Sequence, residues 1–248
     1  MSNQLLGIDI GGTGIKGALI DVNTGNLISD RFKVSTPFTS SPANVIEAVK
    51  EVIDMIGYQG DKIGFGFPSI VDKGVCKSAS NISDEWIGMN LNSFFSDNLN
   101  KECTVINDAD AAGIAEVEFS DVNTADSTVI LLTLGTGIGS AILCNGHLLP
   151  NSELGHLKFE GTIAEKFTSN KVREKEDLTY KQWGRRLNMF LNHIEHLFSP
   201  NHIILGGGVS KKMEKYKQHL NTKCQLTPCY LLNNAGIVGA ALYASQAK

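Results

Sequence analysis

The sequence predicts an α/β protein built from two copies of one unit, and two observations support this prediction. The glycine-rich stretch 9–17 follows an apolar run with strand character at 5–10. The pattern Gly-Thr-Gly-Ile-x-x-Ala of residues 12–18 then recurs at 135–141, again after an apolar run. Two strand–turn–strand segments about half a chain apart indicate a duplicated fold whose two glycine turns face each other across a cleft.

Each glycine turn has the composition of a phosphate-binding site. Glycine lets the backbone turn at little steric cost, so that several N–H groups converge on an anion. Asp9 points to a cation, because a carboxylate facing phosphate is repelled unless Mg²⁺, held through water, lies between them. The alternative is a glycine-rich hairpin with a solvated Asp and Lys, and the second copy favours the phosphate site. The candidate donor-binding residues are Asp9, Gly11, Gly12, Thr13, Gly14 and Lys16 in the first turn, and Thr133, Gly135, Thr136 and Gly137 in the second.

Composition predicts a folded, soluble chain. With 248 residues and 42% apolar residues, the chain can form one large domain or two lobes. It begins without a basic and apolar leader, and no apolar run reaches membrane-spanning length. We therefore expect a cytoplasmic protein without a membrane partner. The five cysteines lack CxxC or CxC spacing, which fits reduced thiols better than disulfides or a metal cluster.

The net charge of −4 conceals an asymmetry along the chain. Residues 1–155 contain 8 Lys and Arg against 19 Asp and Glu, whereas residues 156–223 contain 13 against 7. A basic wall would concentrate a polyanionic phosphate donor. A solvated, salt-bridged helix face explains the same charges, so both interpretations stay open.

Hydrophobic periodicity and turn residues locate the remaining elements and a lobe boundary. We expect a first lobe at 1–108, completed by a C-terminal helix at 235–248, and a second lobe at 109–234. The expected strands are 27–34, 62–67, 104–106, 127–134, 202–205 and 225–231, and the expected helices are 42–56, 109–119, 179–198 and one starting at Lys211.

Further motifs extend the similarity of this chain to a known family over nearly its whole length. The two glycine stretches resemble the phosphate motifs of the sugar-kinase, actin and heat-shock ATPase superfamily. Within it, the chain resembles the ROK sugar kinases and, among them, the polyphosphate glucokinases. The narrower resemblance rests on 107–113, Glu153-Leu154-Gly155-His156, Ala164-Glu165-Lys166, Leu197-Phe198-Ser199-Pro200, 206–211 and 234–241.

The resemblance implies a two-lobed actin-like ATPase (ribonuclease H-like) fold with a duplicated βββαβα core. It also implies an enzyme that transfers the terminal phosphoryl group of inorganic polyphosphate, or of ATP, to the 6-hydroxyl of glucose with Mg²⁺. The resemblance further implies mannose as a second sugar substrate and a homodimeric assembly. No nucleic-acid partner is expected, since the first phosphate motif starts at residue 9 and leaves no room for a helix-turn-helix.

Asp108 is the candidate catalytic base. Sugar phosphorylation needs a carboxylate that orients the attacking hydroxyl and accepts its proton, and Asp108 stands at a predicted strand-to-helix junction. From the residues alone, a helix N-cap is the better explanation of an Asp here. The resemblance favours catalysis.

The sugar and the donor would be held by polar residues along the chain. Glu153 and His156 together can donate to and accept from several hydroxyls, and Glu165 would complete a sugar clamp. Asn81 could contact sugar or simply form a turn. Gly207, Gly208 and Lys211 would form a donor platform at a helix start. The candidate sugar ligands are Asn81, Asn107, Asp108, Glu153, His156 and Glu165.

The sequence departs from the family pattern at two places. Many ROK proteins carry a zinc site of clustered Cys and His just before the position of Glu165, but this chain has no cysteine between Cys144 and Cys224, so we expect no structural zinc. Members that use polyphosphate often have Arg after the lysine that Lys166 matches, and here Phe167 replaces it. The main rival is therefore a strictly ATP-dependent hexokinase. A non-catalytic sugar sensor and, more weakly, an actin-like filament protein are the alternatives from other classes.

Overall fold

The computed structural model describes residues 3–247. Strands β1 to β14 are Gln4–Gly11, Gly14–Asp21, Phe32–Val34, Lys62–Phe67, Val71–Asp72, Val75–Cys76, Glu102–Asn107, Thr128–Leu134, Ile138–Cys144, His147–Leu149, Lys158–Phe159, Thr162–Ile163, His202–Gly206 and Gln225–Pro228. Helices α1 to α7 are Pro42–Ile56, Leu91–Leu99, Asp108–Phe119, Ala164–Thr168, Asn170–Lys175, Tyr180–Phe198 and Ala235–Gln246. Short 3₁₀ segments lie at Asp84–Trp86, Leu154–His156, Ser210–Lys215, Lys217–His219 and Leu232–Asn234.

The chain divides into two compact units. The first contains the residues up to Phe119 together with those from Asn234 onward, and the second contains Ser120–Asn233. Helices α3 and α7 both belong to the first unit, although the whole second unit separates them in sequence.

The first unit is built on a five-stranded sheet in the order β3-β2-β1-β4-β7. Strands β1, β2 and β3 are antiparallel neighbours, whereas β1, β4 and β7 run parallel. One face of this sheet packs on α1 and α2. The apolar side chains of α1 are spaced helically as the sequence predicts, whereas α2 was not predicted. Parallel strands carry their carboxyl ends at one edge, so Asp9, Gly66 and Asn107 come near one another there.

The second unit repeats this topology. Its sheet has the order β10-β9-β8-β13-β14, with β8, β9 and β10 antiparallel and β8, β13 and β14 parallel. Helix α6 packs on the sheet through buried Trp183, Leu187 and Phe190. The predicted duplicated α/β fold is confirmed.

Three predicted elements differ from the observed ones. Strand β3 covers only Phe32–Val34 because the Ser29 hydroxyl accepts from the Leu19 N–H at 2.9 Å and interrupts the expected ladder with β2. The expected helix from Lys211 is a 3₁₀ segment, Ser210–Lys215, which is broken at Lys212 by a non-helical φ of −111°. Strand β14 ends at Pro228, three residues before the expected end, although the Cys229 N–H still donates to the Leu205 carbonyl at 2.9 Å.

Helix α7 packs unusually closely on the first unit. An added Cβ at Gly7 or Gly64 would overlap the α7 backbone, and one at Gly239 would overlap the carbonyl oxygen of Ala111 in α3. These glycines let α7 lie directly on β1, β4 and α3. The small residues of α7 are therefore matched by glycines on the strands and by a close backbone contact with α3.

Among residues 3–247, no helix has both the length and the apolar character that a bilayer crossing requires.

Candidate active site

The first glycine turn connects β1 and β2, and its polar residues are paired across the hairpin. Asp9 and Lys16 are register partners, and the Lys16 ammonium lies 2.9 Å from Asp9 Oδ2. The Asp9 side chain is 15% exposed, so the ion pair is largely shielded from water. Lys16 therefore compensates the charge of Asp9 before any ligand binds.

The glycines of this turn are explained by close approach. None of Gly11, Gly12 and Gly14 has a positive φ, so the left-handed backbone is not what requires glycine here. A Cβ at Gly14 would instead overlap the stem of Lys33, whose Nζ lies 3.4 Å from the same point. A Cβ at Gly12 would lie 3.4 Å from the Asn81 carbonyl oxygen. The turn is thus flanked by a lysine and by the loop that carries Asn81, while Gly12 and Thr13 remain exposed.

Gly66 brings two carboxylates together at the end of β4. A Cβ at Gly66 would lie 3.7 Å from Asp9 Oδ1 and 3.7 Å from the Asp108 Cβ. Both are ordinary contact distances, so the absent side chain leaves a space that both acids border. The start of α7 adjoins this space, because a Cβ at Gly236 would lie 3.2 Å from Asp9 Cγ. A helix N-terminus favours negative charge, which stabilises the Asp9 carboxylate at this place.

Asn107 and Asp108 form the junction between β7 and α3. The Asn107 Oδ1 accepts from the N–H groups of Ala109 and Asp110, both at 2.9 Å, and its Nδ2 donates to the Ser69 carbonyl at 3.0 Å. Asp108 Oδ1 accepts from the Ala109 N–H at 2.8 Å. Capping of the helix is therefore carried mainly by the buried Asn107. Asp108 is half-buried and borders the space at Gly66.

This arrangement fits Mg²⁺. The ion usually binds one or two protein carboxylates and completes its octahedron with water and substrate phosphate. Asp9 Oδ2 is engaged by Lys16, whereas Asp9 Oδ1 faces the Gly66 space beside Asp108. Within residues 3–247 no group of three or more His, Cys, Asp or Glu could hold a metal by itself. The site therefore fits a Mg²⁺ ion that is also coordinated by the phosphate of a bound substrate.

The second glycine turn connects β8 and β9 and is supported by two other segments. Gly207 has φ +80°, and a Cβ there would lie 2.5 Å from the Leu134 carbonyl oxygen, so only glycine fits beside the end of β8. The Lys171 N–H donates to the Gly135 carbonyl at 3.1 Å, which fixes the start of α5 against the turn. Thr133, Gly135, Thr136, Gly137, Gly207 and Gly208 therefore lie together.

Glu153, His156 and Glu165 form one cluster in the second unit. His156 Nδ1 lies 3.4 Å from Glu153 Oε2, and His156 Nε2 lies 3.8 Å from Glu165 Oε1. The Ile138 N–H donates to Glu165 Oε2 at 3.4 Å, and a Cβ at Gly155 would overlap the Ile138 carbonyl. Ile138 directly follows the glycine turn. The cluster is thus attached to the second turn by backbone contacts.

Glu153 has a perturbed acidity. Burial raises the pKa of its carboxyl above the ordinary value; the nearby His156 opposes this shift and the nearby Glu165 adds to it. A carboxyl that takes up a proton more readily can act both as acceptor and as donor toward hydroxyl groups.

The structure adds residues that the sequence patterns did not single out. Lys33 contacts the first turn only through the fold, and no local motif marks it. Gly236 belongs to the motif 234–241, but its contact with Asp9 could not be read from that motif. Gly66 could have been found, because it precedes Pro68 in a Gly-x-Pro turn. The Arg186 guanidinium of α6 lies 5.1 Å from the ring centroid of Phe167. Phe167 stands at the position where family members that use polyphosphate often have Arg. Lys211 is exposed and lies on the 3₁₀ segment after Gly208.

Comparison with known protein families shows the family of this chain. The model of the ROK family matches residues 5–168, which include both glycine turns and the Glu153, His156 and Glu165 cluster. The chain belongs to the ROK family. The resemblance inferred from the motifs is confirmed.

Two polyphosphate glucokinases are similar to this chain over nearly all of its length. The polyphosphate glucokinase of Mycobacterium tuberculosis (strain CDC 1551 / Oshkosh) is 42% identical over 237 residues, which cover 95% of this chain and 89% of that protein. The polyphosphate glucokinase of Mycobacterium leprae (strain TN) is 40% identical, covering 95% and 73%.

Solved ROK structures show the same fold. The inorganic polyphosphate/ATP-glucomannokinase from Arthrobacter sp. strain KM superposes with a TM-score of 0.95 at 40% identity, covering 98% of this chain and 99% of that one. A ROK family glucokinase from Streptomyces griseus, in complex with glucose and AMPPNP, gives a TM-score of 0.84 at 23% identity, covering 98% and 100%. At that identity the second likeness concerns the fold alone.

Proposed function

We propose that this ROK protein is a polyphosphate-dependent glucokinase, which transfers the terminal phosphoryl group of inorganic polyphosphate to the 6-hydroxyl of glucose. The observation that carries the proposal is the 42% identity to a polyphosphate glucokinase across 95% of the chain. The paired carboxylates at Gly66 and the acid–imidazole cluster at His156 supply the chemistry that such a transfer needs.

In this proposal Asp108 accepts the proton of the 6-hydroxyl as the phosphorus–oxygen bond forms. Bound Mg²⁺ would neutralise charge on the transferred phosphoryl group, and Asp9 would hold it, directly or through water. Backbone N–H groups of both glycine turns bind donor phosphates, with Thr13, Lys16, Thr133, Thr136 and Lys211 contributing their side chains.

Glucose would be recognised by residues that can donate and accept hydrogen bonds. Glu153, His156 and Glu165 are already oriented toward one another, which lowers the entropy cost of binding several hydroxyls. Asn81 and Asn107 complete the sugar ligands in our proposal, Asn107 with the N–H that it does not donate to Ser69.

A second donor and a second sugar are suggested by the glucomannokinase from Arthrobacter, whose name includes ATP and mannose. We propose that ATP and mannose serve as poorer substrates. A sugar sensor without catalysis is disfavoured, because it would need neither the Asp9–Lys16 pair nor Asp108. The homodimer and the cytoplasmic location stay predictions.

The purified protein tests the proposal directly. Glucose 6-phosphate formation is measured with glucose, Mg²⁺ and either ATP, triphosphate or long-chain polyphosphate as donor. We expect the highest kcat/KM with polyphosphate. Activity with ATP alone would identify a strictly ATP-dependent hexokinase, and glucose binding without product would identify a sensor.

Lys33 gives a prediction about donor binding. Lys16 is paired with Asp9, and within residues 3–247 Lys33 makes no ion pair, so Lys33 supplies uncompensated positive charge at the first turn. Lys33→Gln should raise the KM for every donor by about fivefold to tenfold, which corresponds to about 1 kcal/mol for an exposed charge pair. The KM for glucose should not change. Lys50→Gln, on α1 and paired with Glu47, is the matched control. A normal donor KM in Lys33→Gln would remove Lys33 from the site.

Glu153 gives a prediction about pH. Its pKa is raised mainly by burial, so it becomes protonated at a higher pH than an ordinary glutamate as the solution is acidified. Protonation weakens its attraction for His156 and for sugar hydroxyl donors. The KM for glucose should therefore rise as pH falls from about 7 to about 5.

The variant Glu153→Gln cannot titrate and should show a higher KM that is nearly constant over this pH range. Glu160→Gln, an exposed neighbour, should keep the wild-type profile. If Glu153→Gln retained the same pH dependence of KM, another group would be responsible for it.

A further inference from the structure

A hydrogen-bond network in the first unit lies between Asn107 and the loop that carries Asn81. It consists of the buried Ser69, which follows β4, the fully buried Cys76 at the end of β6, and Ser78. None of these three side chains takes part in the phosphate or sugar contacts proposed above. We call the three residues the Cys76 network.

Ser69 fixes the orientation of the Asn107 amide. The Ser69 carbonyl accepts from Asn107 Nδ2 at 3.0 Å, while Asn107 Oδ1 accepts from two N–H groups at the start of α3. The second Nδ2 hydrogen is therefore the group that Asn107 can offer to a sugar hydroxyl. Its direction depends on where the Ser69 carbonyl lies.

Cys76 connects Ser69 to the loop of Asn81. Its Sγ lies 3.0 Å from the Ser69 hydroxyl oxygen, and its thiol donates to the Ser78 carbonyl at 3.2 Å. When the thiol hydrogen points to Ser78, the Ser69 hydroxyl can donate to Sγ. The Ser78 hydroxyl in turn accepts from the Ile70 N–H at 3.0 Å. Side-chain hydrogen bonds thus join the two sides of the β5–β6 hairpin.

The core of the unit holds Cys76 in place. Its N–H donates to the Met89 carbonyl at 3.0 Å, and its carbonyl accepts from the Gly88 N–H at 2.9 Å. Its side chain belongs to the same apolar cluster as Trp86. The thiol is therefore a fixed point for the hydroxyl and the carbonyl that surround it.

The loop that follows Ser78 is attached again near Ser83. The Ser83 N–H donates to the Ser40 hydroxyl at 3.0 Å. Asn81 lies between the two attachments, three residues after Ser78 and two before Ser83. Its carbonyl oxygen lies 3.4 Å from the point where Gly12 would carry a Cβ. With so few residues between the attachments, a shift at Ser78 must move Asn81.

We propose that Ser69 and Cys76 are positioning residues, which align Asn107 and Asn81 for the sugar without touching it. This inference rests on the proposed function, because it takes both asparagines as sugar ligands. Ligands that are already aligned bind without first losing side-chain and loop freedom, so the network raises the affinity for glucose. A thiol that served packing alone would need neither the Ser69 hydroxyl nor the Ser78 carbonyl beside it.

The test compares two substitutions that differ by one hydroxyl group. Cys76→Ala loses the bonds to Ser69 and Ser78, and its dissociation constant for glucose should rise about fivefold to tenfold. Cys76→Ser keeps a donor and an acceptor at this place and should stay within about twofold of the wild type. Calorimetric titration with glucose in the absence of a donor measures these constants. In steady-state kinetics, Cys76→Ala should raise the KM for glucose and leave the KM for the donor unchanged.

A double-mutant cycle with Ser69→Ala separates the hydrogen bond from packing. Ser69→Ala alone should weaken glucose binding as Cys76→Ala does, and it serves as the test if Cys76→Ala does not fold. Because both residues act through one hydrogen bond, the double variant should bind glucose within about twofold of either single variant. Cys103→Ala removes the same atom from a buried cysteine on β7, outside the network, and should keep the wild-type constant.

The outcomes distinguish this inference from the proposed function. A wild-type dissociation constant in Cys76→Ala would overturn the inference and leave the proposed function intact. Equal losses in Cys76→Ala and Cys76→Ser, or additive losses in the double variant, would also overturn it, because packing would then explain them. A wild type that binds glucose but uses ATP alone would overturn only the proposed function. A wild type that does not bind glucose would overturn both proposals.

Discussion

Asp108→Asn is expected to lower kcat for glucose phosphorylation by about 10²- to 10⁴-fold, the usual contribution of a positioned general base. The amide has nearly the shape of the carboxylate but cannot accept the proton of the sugar hydroxyl. The dissociation constant for glucose should stay within about threefold, since Asp108 is one of several sugar ligands in our proposal. Steady-state kinetics and calorimetric titration with glucose measure the two quantities.

The fold should tolerate this change. Asn107 carries most of the capping of α3, and the amide oxygen of a residue 108 asparagine can still accept from the Ala109 N–H. Loss of turnover would therefore report on chemistry, provided that the melting temperature is unchanged. Asp97→Asn, at an exposed position of α2 in the same unit, is the matched control. Near-normal turnover in Asp108→Asn would exclude Asp108 as the base.

Asp108 lies beside the space where the cation and the sugar hydroxyl would meet in our proposal. Asp9 and Asp108 border the same space at Gly66, so a cation held by Asp9 and a hydroxyl facing Asp108 would meet within a few ångströms. Two carboxylates so close would repel each other if nothing compensated them. Lys16 and the N-terminus of α7 supply the compensation on the side of Asp9.

Local patterns in the sequence predicted much of this architecture. The repeated Gly-Thr-Gly-Ile pattern predicted two hairpins, and the two sheets do share one topology. Helix α1 and strand β4 have the predicted bounds because their periodicity is uninterrupted. Where a side chain intervenes in the backbone pairing, as Ser29 does beside β2, the propensity of the surrounding residues could not show it.

Tertiary contacts account for what the sequence did not show. Gly66, Gly236 and Lys33 matter because of what lies opposite them in the folded unit, and these partners are distant in sequence. The same holds for Arg186, which reaches Phe167 from another helix. The glycines of the first turn were predicted to let the backbone turn at little steric cost. In the structure they do not adopt a positive φ, and they permit the close approach of Lys33 and Asn81.

Gly239→Ala should destabilise the first unit more than any single surface change. Alanine has a helix propensity about 1 kcal/mol better than glycine, so an isolated α7 would become more stable. In the folded unit, however, the new methyl group would overlap the Ala111 carbonyl oxygen, and a backbone atom cannot move aside by changing rotamer. Overpacking of this kind costs about 3 kcal/mol or more, so the steric cost outweighs the gain in propensity.

Thermal unfolding followed by circular dichroism should show a melting temperature about 5 °C or more below that of the wild type. Ser245→Ala, at an exposed position of the same helix, changes propensity without a clash and should stay within about 1 °C. Because Gly236 at the start of α7 adjoins Asp9, a displaced helix should also disturb the Asp9–Lys16 pair and lower kcat in the fraction that remains folded. A Gly239→Ala protein with wild-type stability would mean that α3 and α7 can separate at little cost, and the close packing of α7 would then not be what holds Asp9 in place.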